Sequence, residues 1–348
     1  MTVKRMKAIQ YLGPGDLELS QVQIPQAVAG EIIVRVRAAL TCGTDVKTFL
    51  RGHPKFKPPS PFGHEFAGDV VEVGAGVERF RVGMRVTANV FAPCGSCFFC
   101  KIDQDNLCND MIYNLGAFAE YMRIPASIVR HNTFELPDDF PYDQAAVLEP
   151  LVSVVHAQAR AAIQPGESVV ILGAGGAIGL MHLQMTLHSG ASQAIAVDLS
   201  PARLELAERL GATTSIQAPQ PALLDQILDL TEGYGADVVI ECAGTAETWL
   251  QAVELVRKGG RVVWFGGLPG GTTLTLDPHK IHYGELTLLG THGGTPLDAQ
   301  RAFELLTSGG INSRALISDK VGLDQVQDAL ERMARGEVVK VAIDPTQP

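Results

Sequence analysis

The middle of the chain alternates between two hydrophobic periods. SVVILGAGG opens with an unbroken, β-branched apolar run from Val169 to Leu172 and stops at glycines, which predicts a buried strand followed by a tight turn. GLMHLQMTLH continues as an apolar helix, and AIAVD predicts the next strand, ending at Asp198. PARLELAERLGA then predicts a helix closed by Gly211, ADVVIECAG a strand, ETWLQAVELVRKGG a helix stopped by glycines, and RVVWFGG another strand. Repeated strand–helix units of this kind form a parallel, doubly wound sheet, so this part is α/β. The first 150 residues have a different grammar. Short strands such as EIIVRVRAAL and FAGDVVEVGAGV lie between Pro/Gly turns, and the tail VVKVAIDP predicts a late strand returning to them. The expected division is therefore residues 1–150 with 288–348 as a β-rich domain, and 151–287 as the doubly wound domain.

Length and charge agree with two soluble domains. A chain of 348 residues fits the prior of about 100–200 residues per domain. With 28 basic against 38 acidic side chains the formal charge is −10, which repels phosphate backbones and anionic lipid, so neither nucleic acid nor membrane is an expected partner. The N-terminus lacks the apolar core of a signal peptide, and no apolar run approaches the roughly 18 residues of a membrane span. The expected location is the cytoplasm.

That location changes what the cysteines can be. CGSCFFCKIDQDNLC carries Cys94, Cys97, Cys100 and Cys108, four of the six cysteines of the chain. Reducing compartments keep thiols free, and a lobe of this spacing can wrap four thiolates around one tetrahedral zinc ion with no position left open for substrate. The expected role is structural, and a redox-active thiol loop is the competing reading. A second metal signal lies upstream, in Cys42 of TCGTD and in His64 and Glu65 of PFGHEFAG. Each site has a glycine that permits close backbone approach and an acid able to ligate or to orient an imidazole. Glu149, in the otherwise apolar LEPLVSVVHA, is either an acid drawn to a nearby cation or a helix-start acid facing free amides.

In the glycine turn, backbone amides and a helix N-terminus can approach a pyrophosphate, and Asp198, nineteen residues after Gly179, can accept hydrogen bonds from ribose hydroxyls. An acid there repels a 2′-phosphate, favouring NAD over NADP. Arg203 can pack over the adenine or reach a phosphate. Cys242 is expected within a strand, as a small buried hydrophobe.

Taken together, CGTD, GHE, the CGSCFFC…C lobe, LEP, the glycine turn with Asp198 and the terminal KVAIDP resemble the zinc-containing medium-chain dehydrogenase/reductase superfamily, and its polyol (sorbitol-type) and threonine dehydrogenase branch in particular. The resemblance implies a GroES-like catalytic domain with a zinc lobe at about 93–110, and a Rossmann domain inserted before its last part. It makes Cys42 and His64 ligands of a catalytic zinc, Glu65 a third ligand, and Glu149 an acid that approaches or binds the metal. Asp45 would orient His64, and Thr44 would hydrogen-bond the substrate oxygen and pass its proton outward. Gly173, Gly175, Gly176, Ala177, Ile178 and Gly179 would form the nucleotide turn. Two zinc ions and NAD are the implied cofactors, an alcohol/ketone pair the implied substrate, and a homo-oligomer, tetramer rather than dimer, the implied assembly. The substrate class is a secondary alcohol: polyol, sugar, cyclitol or an amino alcohol such as threonine.

Two departures stand against the pattern. Lys47 occupies the place where many relatives carry a relay histidine, and GAGGAIG is one residue longer than G-x-G-x-x-G, as in quinone-oxidoreductase-like relatives. The competing functions are a zinc-independent enone or quinone reductase, which leaves Cys42, His64 and Glu65 together unexplained, and a non-catalytic structural or sensing protein on the same scaffold.

Overall fold

The computed structural model describes residues 4–54, 56–219 and 222–347. The chain divides into two compact units, Met1–Val152 with Gly294–Gly309 and Ser313–Pro348, and Ser153–Gly293 with Gly310–Asn312. The second division falls later than the residue 287 read from sequence. Thr287–Gly290 is a strand that pairs in parallel with Val256–Trp264, and this holds the chain in the second unit to Gly293.

The first unit is built on a seven-stranded sheet in the order Thr133–Glu135, Arg85–Ala88, Glu65–Val73, Ile32–Leu40, Lys340–Ile343 and Ile317–Val321, with Tyr121–Ile124 also on Ile32–Leu40. EIIVRVRAAL is a strand because its β-branched residues pack on both faces. Val34, Val36, Ala39 and Leu40 are buried, and Arg35 is the one exposed residue of the strand. Phe62, Phe66, Phe118, Val341 and Leu330 join the same core, and each side chain of this size contributes roughly 1.5–3 kcal/mol on full burial. Register does the positioning. Leu40 faces Glu65 across one antiparallel ladder and Ala342 across another, so Cys42, His64, Glu65 and Lys340 all gather at one end of these strands.

The second unit is a six-stranded, wholly parallel sheet in the order Thr214–Gln217, Gln193–Asp198, Ser168–Leu172, Ala236–Glu241, Val256–Trp264 and Thr287–Gly290. The chain starts at Ser168–Leu172, builds outward on one side, and returns to build on the other. The order therefore reverses between Ser168–Leu172 and Ala236–Glu241, the switch point of a doubly wound sheet. Two sequence expectations shift here. The helix read through VRKGG ends at Leu255, because Val256 is already extended and pairs with Ala236; the glycines lie inside the strand. Cys242 stands one residue beyond Ala236–Glu241 and is half-buried rather than inside a strand. Among the described residues no helix is long and apolar enough to cross a membrane.

Candidate active site

The first site is assembled at the end of Ile32–Leu40. Cys42 caps the helix Gly43–Arg51: its Sγ accepts from Thr44 N at 3.4 Å, and its own amide donates to Asp45 Oδ2 at 3.0 Å. This reciprocal cap fixes Asp45 in the first turn, fully buried, with Oδ1 3.0 Å from His64 Nδ1. Asp45 thus occupies one ring nitrogen and leaves Nε2 as the other donor, 4.0 Å from Glu149 Oε2. The approach to His64 depends on Gly63, whose φ is +80° and where a Cβ would fall 2.6 Å from the Phe118 ring. One donor atom from each of Cys42, His64 and Glu65 lies within 4.8 Å of the other two. Glu149 enters from the first turn of Leu148–Ala161.

Sequence reasoning missed Lys340. Its ammonium is buried and donates to Glu65 Oε1 at 2.7 Å, Glu65 Oε2 at 2.5 Å and Thr41 O at 2.9 Å. The signal lay in VVKVAIDP: a lysine within an apolar late strand requires a partner once that strand is buried.

The electrostatics describe a site short of positive charge. Burial pushes Glu65 up to about 7, against the pull of Lys340 and His64, and burial likewise raises Glu149. Burial alone would lower His64, but Asp45 and Cys42 outweigh it and raise it well above the ordinary range. In the same way Glu65 and Cys42 overcome the burial of Lys340 and raise it. Each of these shifts favours the more protonated form. A divalent cation on these donors would supply the missing charge and displace protons from the ligating groups, and one sulfur, one imidazole and carboxylate oxygen are the donors zinc takes. The residues present therefore fit a zinc ion. Thr44 is half-buried in the first helical turn, and Lys47, one turn on, is exposed.

The second cluster is the cysteine lobe. The four Sγ atoms of Cys94, Cys97, Cys100 and Cys108 lie within 4.8 Å of one another, with Cys97 3.5 Å from Cys100 and 3.8 Å from Cys108. A tetrahedron with zinc–sulfur bonds of about 2.3 Å has edges of about 3.8 Å. The amide of Cys94 donates to Cys108 Sγ at 3.2 Å. The Ser96 amide and hydroxyl, with the Cys97 amide, hold the Cys94 thiol down to about 6, which favours the ligating thiolate. All six cysteines are free of disulfide.

In the second unit, Gly173, Gly175 and Gly176 form the turn after Ser168–Leu172, and Ala177, Ile178 and Gly179 open the helix Ala177–His188. Asp198, at the end of Gln193–Asp198, pins this turn: Oδ2 accepts from Gly175 N at 2.8 Å and Oδ1 from Ser200 N at 3.0 Å. Arg203 packs so closely here that a Cβ on Gly175 would lie 2.4 Å from its Cβ.

Known proteins share the fold of this chain along nearly its whole length. Residues 28–138 match the family described as alcohol dehydrogenase GroES-like domain, and residues 177–308 the family described as zinc-binding dehydrogenase. A sorbitol dehydrogenase of Bacillus subtilis (strain 168) is 32% identical over 356 residues, spanning 99% of this chain and 98% of its own. An L-threonine 3-dehydrogenase of Pyrococcus horikoshii is 34% identical over 348 residues, 97% of this chain and 98% of its own. A protein described as a zinc-binding dehydrogenase, from Sinorhizobium meliloti 1021 and solved with NADP, superposes with a TM-score of 0.89 at 34% identity, over 98% of this chain and 100% of that one. The chain belongs to the zinc-containing medium-chain dehydrogenase/reductase family of alcohol dehydrogenases, in the branch of the polyol and threonine dehydrogenases.

Proposed function

We propose that the chain oxidises a secondary alcohol bearing a neighbouring hydroxyl or amino group, passing hydride to NAD, at a zinc ion held by Cys42, His64 and a carboxylate. The observation that carries this reading is the convergence of Cys42, His64 and Glu65 donors within 4.8 Å, with Asp45 behind the imidazole. Zinc at this place supplies Lewis acidity, lowering the pKa of a substrate hydroxyl. The protein's part is positional. Asp45 fixes His64 so that Nε2 faces the donor set. Lys340 engages both oxygens of Glu65, which converges with Cys42 and His64, and Glu149, with Oε2 4.0 Å from His64 Nε2, is the other carboxylate within reach of the donor set. Thr44, half-buried in the first helical turn, is the hydroxyl that would hydrogen-bond the substrate oxygen and pass its proton outward to solvent. The Gly173–Gly179 turn and the N-terminus of Ala177–His188 would hold the pyrophosphate of a nicotinamide cofactor, which would supply the hydride acceptor.

Two neighbours, a sorbitol and a threonine dehydrogenase, point to substrates with adjacent polar groups, among which polyols, sugars and cyclitols are the first to test. Asp198 supports NAD as the cofactor, because a 2′-phosphate would meet its carboxylate; Arg203 beside Gly175 is the opposing charge. The cysteine lobe supports a second, structural zinc. By family resemblance the two units act as catalytic and nucleotide domains of a cytoplasmic homotetramer, which size-exclusion with light scattering checks for mass.

The test is a panel of polyols and amino alcohols with NAD⁺ and NADP⁺, followed by reduced-nicotinamide absorbance. Turnover of a vicinal diol or amino alcohol with NAD⁺ is expected, and Asp198→Ala should weaken NAD and narrow its lead over NADP. Turnover restricted to enones or quinones would replace this reading, and equal binding of the two cofactors by the parent would remove Asp198 as the selector.

A further inference from the structure

We infer that Glu241 is a positioning residue for the nicotinamide cofactor, fastening two backbone loops at the switch point of the parallel sheet. The inference rests on the nicotinamide reading above. Glu241 is the last residue of Ala236–Glu241, opposite Leu172 on one side and Trp264 on the other, so it stands at the exits of three adjacent strands. Its side chain is fully buried. Oε1 accepts from Gly244 N and from Thr248 Oγ1, each at 2.7 Å, which folds the following loop back onto the strand end. Its backbone oxygen accepts from Phe265 N at 3.0 Å and Gly266 N at 2.9 Å, which holds the loop after the next strand. The two loops meet over the carboxylate: a Cβ on Gly266 would lie 2.5 Å from Gly244 N and 2.8 Å from Glu241 Oε2. Trp249 Nε1 closes the arrangement on Gly266 O at 2.7 Å, and Cys242 N donates to Leu172 O at 2.8 Å, one residue before the glycine turn begins.

Position makes this a cofactor device rather than only a stabilising contact. In doubly wound sheets the ligand lies beyond the carboxyl ends of the strands at the point where their order reverses, and Leu172 and Glu241 are the register pair at that point. A carboxylate that collects an amide and a hydroxyl in a buried setting makes strong, directional bonds, which a bare loop of small residues cannot supply. The amino end of the same strand offers a control. There Asp237 Oδ2 accepts from Ser168 N at 2.7 Å and Ser168 Oγ at 2.8 Å, and Oδ1 from Arg257 Nε at 2.6 Å, on the side of the sheet that ligands do not use.

The experiment measures NADH dissociation constants for the zinc-loaded protein and its variants. The readouts are energy transfer from the two tryptophans of the chain, Trp249 and Trp264, and titration calorimetry, alongside thermal melts and cofactor KM against kcat. Glu241→Ala should weaken NADH about tenfold or more and raise cofactor KM with kcat at saturation largely kept, while Glu241→Gln, which retains an acceptor oxygen, should stay within about threefold. Asp237→Ala should lower the melting temperature and leave NADH affinity within about twofold. Glu241→Ala within about twofold of the parent, or Asp237→Ala weakened as much as Glu241→Ala, would overturn the inference. Should Glu241→Ala fail to fold, Thr248→Val decides, with weakened NADH at an intact melt expected and unchanged affinity overturning it. A parent protein that binds neither NADH nor NADPH would overturn the nicotinamide reading itself, and this inference with it.

Discussion

At the scale of single residues, the pair of Lys340 and Glu65 links the tail of the chain to the metal donors. Both side chains are buried and the contact engages both carboxylate oxygens. Removing one partner of such a pair leaves the other charged and desolvated, at a cost of about 3–5 kcal/mol, whereas removing both can be nearly neutral. Lys340→Met should therefore lower the unfolding free energy in urea by about that amount, and Lys340→Met with Glu65→Gln should recover most of it. A loss in the double variant equal to the sum of the losses in Lys340→Met and Glu65→Gln would mean that the two side chains are not coupled. His182 gives a pH-dependent counterpart in the second unit. Gln158 Nε2 lies 3.0 Å from its Nδ1, Phe265 packs edge-on at 5.0 Å, and burial pushes its pKa down to about 3. The folded-state value is thus below the unfolded value of about 6.5, so between them the unfolded chain binds a proton that the native ring does not. Stability from this group is fully present above about 6.5 and is lost as pH falls towards 3, at up to about 1.4 kcal/mol per pH unit. His182→Gln should flatten the loss of urea stability between pH values of about 6 and 4 relative to the parent; parallel pH profiles would show that the ring already titrates normally.

At the scale of elements, the cysteine lobe and the capped helix that carries Cys42 do different work. Zinc in a closed four-sulfur lobe contributes directly to folding, so Cys100→Ser should lose one zinc and lower the melting temperature by on the order of 10 °C. Cys42→Ser should lose the other zinc and catalysis while its melt stays within a few degrees, since its capping interaction is worth only about 1 kcal/mol. The reverse pattern, by metal analysis and calorimetry, would exchange the two assignments. These elements were legible in sequence to unequal degrees. The strand–turn–helix around Gly173 announced itself because β-branched runs and glycines act locally. The end of the helix at Leu255 did not, because Val256 leaves it for a partner strand twenty residues earlier in the chain, and pairing of that kind has no local signature. Cys42, His64 and Glu65 could be grouped from their flanking residues. Lys340 could not be attached to Glu65, because their contact spans 275 positions and depends on which strand lies beside which.

At the scale of the whole molecule, the two chemistries are kept in separate units of the chain. Cys42, Asp45, His64, Glu65, Glu149 and Lys340 all belong to the first unit, with the cysteine lobe, while Gly173 to Gly179, Asp198, Arg203 and Glu241 all belong to the second. Each set closes its hydrogen bonds within its own unit: Asp45 on His64 and Lys340 on Glu65 in one, Asp198 on Gly175 and Glu241 on Gly244 in the other. Removing the metal should therefore abolish the chemistry without dismantling the nucleotide turn. Mild chelation that strips the zinc at Cys42 and His64 is expected to eliminate turnover, with one zinc per chain retained by the cysteine lobe, while NADH affinity stays within about threefold, well under 1 kcal/mol. Readdition of zinc should restore turnover with no change in NADH affinity. The measurement is calorimetric titration of NADH before and after chelation, with metal content followed in the same samples. Loss of NADH binding in step with loss of the labile zinc would show that the nucleotide site depends on the metal centre and that the separation drawn along the chain does not extend to function.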